Sequence, residues 1–140
     1  MKDILSLIPN EVNDYVKSLI EGQDLTIKTV PKRRTKHGDY RKFNNKHVIT
    51  INQIDNKYRF LLILIHELAH FNVYKKHIST NPHGTSWKNE FIKFFNLTLL
   101  KTLFPLELKS SKKFSMSEFG VSSIKEFEKF ILFSFKSYTK

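Results

Sequence analysis

The chain of 140 residues contains no cysteine. That absence removes disulfides, iron–sulfur clusters, thiol catalysis and every cysteine-ligated zinc site, so any metal must be held by His, Asp or Glu. Glycine and proline number only four each, and no internal repeat or low-complexity tract is found. Long apolar runs are missing too. The longest strongly apolar one, FLLILI at 60–65, is far short of the ~20 residues needed to span a bilayer. The N-terminal MKDILSLIPNEV is interrupted by Ser6 and Pro9 and soon followed by Glu11. It lacks the apolar core and small-residue cleavage site of a secretion signal. These absences predict a soluble, cytoplasmic protein with no membrane partner.

Acidic residues are the other scarcity, 13 against 24 basic ones, for a formal charge of +11. Such a balance favours polyanionic partners, nucleic acid first. The plainer reading is a lysine-rich solvated surface, since 20 of the basic residues are lysines. What is abundant is apolar: hydrophobic residues make up 40% of the chain and include 13 phenylalanines, which argues for a packed core rather than disorder. The length suits one domain spanning 1–140, large enough to bury most of its apolar surface unaided.

Apolar spacing predicts a helix through Val12, Tyr15, Val16, Leu19 and Ile20, stopped at Gly22. LTIKTV (25–30) and HVITIN (47–52) alternate as strands. Between them lies a basic segment with turn signals at Pro31 and Gly38. A helix is predicted from about Lys57 to His77, and another from about Thr85 to Leu103, ended by Pro105. The loop ELKSSKKFSMSEFG follows, and Ser123 with Glu126 forms a capping box opening a last helix over 122–136. This order of elements is an α+β domain.

The segment LIHELAHFNVYKKHISTNPHGTSWKNEF (64–91) gathers four of the six histidines and two of the eight glutamates. His66 and His70 are four apart, which on a helix is ~40° of rotation and ~6 Å of rise, so both imidazoles can share one ion. Glu67 stands about 100° around from His66. It can reach a water near the ion without being a ligand, the H-E-x-x-H arrangement of zinc peptidases. Neutral imidazoles bind zinc firmly yet leave it charge enough to acidify water, and the carboxylate takes that proton during attack on a peptide carbonyl. The motif follows YRFLLILI, so it sits in a largely buried helix, where ionisable groups need a partner such as a metal.

A catalytic zinc needs a third protein ligand. His77, seven residues beyond His70 and ~10 Å further along a helix, is too far to share the ion. Glu90 follows His70 after 19 intervening residues and is preceded by Asn89, as in gluzincins. His83 sits where a loop turns into the next helix, between Pro82 and Gly84. Spacing leaves Glu90 and His83 both open. Trp87, one turn into that helix, is read as packing beneath the site. Tyr40 is the one oxyanion-donor candidate.

HELAH at 66–70 followed by HGTSWK at 83–88, with RRTKHGDYR (33–41) and HVITIN (47–52) upstream, resembles the SprT-like zinc metalloproteases. That family includes bacterial SprT proteins and the protease domain of Spartan. The resemblance covers roughly residues 24–95. It implies a small zincin-like domain: a short sheet or hairpin packed on a metal-binding helix pair, with a core over about 24–104 and a C-terminal helical extension over about 105–140. It further implies His66, His70 and His83 as ligands of one catalytic zinc ion, Glu67 as general base, and an endopeptidase acting on DNA-associated or DNA-crosslinked proteins. Many relatives add a Cys-rich zinc ribbon, which these cysteine-free residues do not contain.

If DNA is bound, Lys32, Arg33, Arg34, Lys36, Arg41 and Lys42 are the candidates, with Tyr40 and Phe43 available for stacking. A charge-protected hairpin edge is the alternative reading of that stretch. At the level of the whole chain, the competing expectation is a nucleic-acid-associated or transcription-related protein with structural zinc and little or no proteolysis.

Overall fold

The computed structural model describes residues 3–76 and 83–103, with side chains placed to residue 97. The expected C-terminal helix over 122–136, the extension from 105 onward and His77 lie outside these residues.

The described residues form a mixed α+β arrangement of three helices and one three-stranded sheet. Two short 3-10 turns, Ile4–Leu7 and Asn10–Val12, lead into helix α1, Asn13–Ile20. Val12 and Val16 on its apolar side are fully buried. Gly22 follows at φ 74°, a left-handed turn residue with nothing within 4 Å of an added Cβ, so its role is conformational.

Strand β1, Leu25–Val30, and strand β3, Lys46–Asn52, fall where alternation predicted them. Between them the basic segment supplies strand β2, Gly38–Phe43, which alternation alone did not isolate. The sheet order is β1-β3-β2: β3 pairs parallel with β1 and antiparallel with β2. The signal for the hairpin is Asn44–Asn45. Both residues take positive φ, 48° and 62°, as a two-residue primed turn requires, and asparagine tolerates that region. As the middle strand, β3 is the best buried, with Ile49 and Ile51 fully covered.

Helix α2, Lys57–Lys75, opens on Asn56, whose side-chain oxygen accepts from the Tyr58 and Arg59 amides at 2.9 and 3.0 Å. Every residue from Phe60 to Ala69 is buried, because the helix is covered by the sheet on one face and by α3, Thr85–Leu103, on another. Trp87, Phe91 and Phe94 fill the α2–α3 seam. No helix among the described residues is long and apolar enough to cross a membrane.

Strand β2 runs along α2 in the same direction. A Cβ on Gly38 would lie 2.7 Å from Ile63 Cγ2 and 3.1 Å from Glu67 Oε1. Tyr40 then meets Phe71 and Tyr74, and the Lys42 ammonium sits 4.8 Å over the Tyr74 ring. Glycine at position 38 is what lets the strand come this close to the helix.

Candidate metal centre

His66 and His70 project from α2 one turn apart, and His83 meets them from the turn that opens α3. His83 Nε2 lies 3.1 Å from His70 Nε2 and 3.2 Å from His66 Nε2. Three nitrogens each ~2.05 Å from a tetrahedral ion would be separated by about 3.3 Å, so the spacing fits a single metal of zinc's size. All three ligand atoms lie within 4.8 Å of one another, and this trio can hold a metal ion.

The chemistry of the donor set agrees with the distances. Burial, reinforced by the neighbouring His70, His83 and His37, pushes His66 far below the ordinary histidine range. Burial and then His83 push His70 down to about 3. His83 is lowered too, by burial and by Lys88. All three rings are therefore neutral at physiological pH, the state in which imidazole binds a cation.

Trp87 is the floor of the cluster. Its ring centroid lies 4.7, 5.2 and 4.6 Å from those of His66, His70 and His83, and its other side stacks on Phe91. The indole N–H donates to the His66 carbonyl at 3.2 Å, tying α3 to the motif turn of α2. His83 takes φ 62°, a left-handed conformation uncommon for a residue with a Cβ. Strain of that kind, about 1–3 kcal/mol, persists where surrounding packing fixes it and clusters at functional sites. His70 is the half-buried member, so the accessible side of the cluster lies there.

Glu67 is 1% exposed and stands between the histidine face and Gly38 of β2. Glu90 does not join the cluster. Its carboxylate accepts from Asn72 Nδ2 and pairs with Lys76 Nζ, each at 2.5 Å, clasping the end of α2 to α3. Burial alone would raise its pKa, but those two donors outweigh burial and hold it below the usual range.

The Tyr40 hydroxyl is hydrogen-bonded to His47 Nδ1 at 2.8 Å, and its ring packs with Phe71 and Tyr74, on the sheet side of α2 rather than with the histidines. The six basic candidates are not one patch. The Arg33 guanidinium is held by Asn52 Oδ1 at 2.8 Å and Thr50 Oγ1 at 3.0 Å. Lys36 and Arg41 both pair with Asp39, and Lys42 donates to the Tyr74 hydroxyl. Lys32 and Arg34 are exposed.

Two structural residues escaped sequence reading. Asn52, 1% exposed, donates to the Lys36 carbonyl at 2.7 Å and so braces the 31–37 loop. Gly38 reads as a turn signal, whereas it is a close-packing position. A polar residue closing the apolar alternation of HVITIN was the only available signal for Asn52, and nothing local marked Gly38. Comparison with protein-family models, with curated proteins and with solved structures finds no match to this chain.

Proposed function

We propose that this chain is a zinc-dependent endopeptidase of the SprT-like, zincin-like kind, with His66, His70 and His83 as ligands and Glu67 as general base. The observation that carries the reading is the trio of mutually close, neutral imidazoles in a buried setting, with a glutamate adjacent to the first of them. Two further features support it. Trp87 and the Glu90 clasp hold α3 so that His83 faces the α2 pair. Strand β2 is an edge strand among the described residues, and an extended polypeptide can pair with such an edge.

A zinc ion bound there supplies Lewis acidity, activating water and polarising the scissile carbonyl. The protein's part is as follows. The three imidazoles, kept unprotonated by burial, bind without first releasing protons. The Glu67 carboxylate accepts the proton of the attacking water and delivers it to the leaving nitrogen. Gly38 sets how closely β2 lies to that carboxylate. The substrate class, DNA-associated or DNA-crosslinked protein, rests on the resemblance and on basic groups such as Lys32, Arg34 and Lys46, with Phe43 67% exposed near the hairpin turn.

The test compares wild type with Glu67→Gln on a denatured protein and on a DNA-bound one. Zinc content unchanged and cleavage lost is the expected pair of results. Equal behaviour of the two proteins in both assays rejects the enzyme and leaves a nucleic-acid-associated protein with structural zinc.

A further inference from the structure

A cleft of about 300 Å³ opens between the 31–37 loop, the end of β3 and the first turns of α2, beyond the metal centre. Lys32, His37 and Arg59 line it, with Asn52 and Asp55 also in its wall. The cationic groups come from two separate segments. The loop that carries Lys32 and His37 is braced from below, because buried Asn52 holds the Arg33 side chain and the Lys36 carbonyl. The Asn52 amide also donates to the His37 carbonyl at 2.9 Å. After burial, Arg59 and Lys32 both oppose protonation of His37. Like charges assembled in a part-enclosed wall focus a positive potential into the space between them.

The cleft is aligned with the candidate catalytic glutamate. Arg59, Ile63 and Glu67 follow one another at four-residue steps on α2, and His37 directly precedes Gly38, which abuts Ile63 and Glu67. Eight residues of helix separate Arg59 from Glu67 by about 12 Å. An extended chain running outside β2, which covers Ile63 and Glu67, spans that distance in about three to four residues.

We propose that this cleft is a specificity subsite for an acidic side chain of the polypeptide substrate, three to four residues from the scissile bond, recognised by Lys32 and Arg59. The proposal rests on the peptidase reading and adds a substrate preference to it. Lys32 and Arg59 against Asp55 leave a modest positive surplus, with His37 kept neutral, which matches a monovalent carboxylate better than a run of phosphates.

The experiment measures binding of fluorescent nine-residue peptides to the 140-residue Glu67→Gln protein. Glu, Gln or Lys is placed in turn at each position. One position should favour Glu over Gln by about tenfold, the scale of one charge-assisted contact. Lys32→Gln and Arg59→Gln, each added to that background, should reduce the preference to under about threefold. Lys32 is exposed, so its variant carries the test if Arg59→Gln fails to fold. Equal binding of Glu and Gln peptides at every position overturns the subsite, as does a preference that survives both substitutions. If the substitutions weaken only a single-stranded oligonucleotide and leave peptide selection intact, the cleft takes phosphate and the proposal fails. Because binding is read without turnover, a wild type that cleaves no peptide sinks the peptidase reading alone. Where the wild type does cut, an acidic preference adjacent to the cut contradicts the assigned spacing.

Discussion

On the face of α2 turned toward α3, His66 and His70 meet His83 and Trp87. On the face turned toward β2, Glu67 meets Gly38, and Phe71 and Tyr74 meet Tyr40. The first face is held by bulk: an indole and two phenylalanines fill the seam and fix three rings at once. The second depends on the lack of bulk, since a single missing side chain at position 38 allows the strand to approach the carboxylate. Under the proposed function, the difference separates two roles that a short motif writes side by side. Metal affinity would belong to the α3 face, and positioning of the base to the β2 face. Substitutions on the two faces should therefore fail in different ways.

The largest effect should come from Glu67→Gln, which removes the proposed base and leaves every imidazole in place. Turnover should fall by about 10³-fold, within the usual range for a lost general base, while zinc affinity measured by chelator competition stays unchanged. Parallel loss of both would merge the two faces into one. Trp87→Ala should destabilise the fold by about 3–5 kcal/mol in urea titration, the scale for emptying a buried aromatic site. It should also weaken zinc binding, because the ring touches all three histidines.

The same face should make the metal-free protein sensitive to acid. Burial holds His70 down to about 3 in the folded chain, whereas an unfolded histidine titrates near about 6.5. Below that upper value the unfolded chain takes up protons that the folded one refuses. The contribution to stability is thus complete above pH ~6.5 and is lost progressively as pH falls toward ~3. Urea midpoints measured at several pH values should show this slope, and His70→Asn should reduce it, leaving the part that His66 and His83 contribute.

Gly38→Ala probes the opposite face. Overpacking against Ile63 and Glu67 should destabilise by about 1–3 kcal/mol and reduce turnover with zinc affinity intact. The smallest effect is expected at the clasp. Lys76 is 44% exposed, so Glu90→Ala should change stability by only about 1 kcal/mol. Zinc binding should persist; its loss would return Glu90 to the ligand set.

The α3 face was largely legible in the sequence because helical spacing is a strong code. His66 and His70 four apart dictate a shared face, and the helices through 57–75 and 85–103 follow from apolar periodicity. Trp87 beneath the rings followed from its place one turn into the second helix. Spacing alone left His83 and Glu90 as rivals, because no periodicity spans the intervening loop. The geometry separates them: His83 closes the trio, and Glu90 turns to Asn72 and Lys76. The β2 face was poorly legible. A strand of GDYRKF, five of its six residues polar, aromatic or charged, carries no clean alternation. Its existence depends on the Asn44–Asn45 turn and on pairing with β3. Arg33 and Arg41 looked like phosphate contacts, since charge counts do not reveal that Asn52, Thr50 and Asp39 already engage them.

Zinc stoichiometry and affinity of the wild-type chain, measured beside His83→Ala, decide whether the three rings share one ion. Wild type should bind one equivalent of zinc, and the variant should lose affinity by about 10³-fold, the share of one ligand in a tight site. A wild-type chain that takes up no zinc, or a variant that binds it equally well, would contradict the assignment of these three rings to one ion.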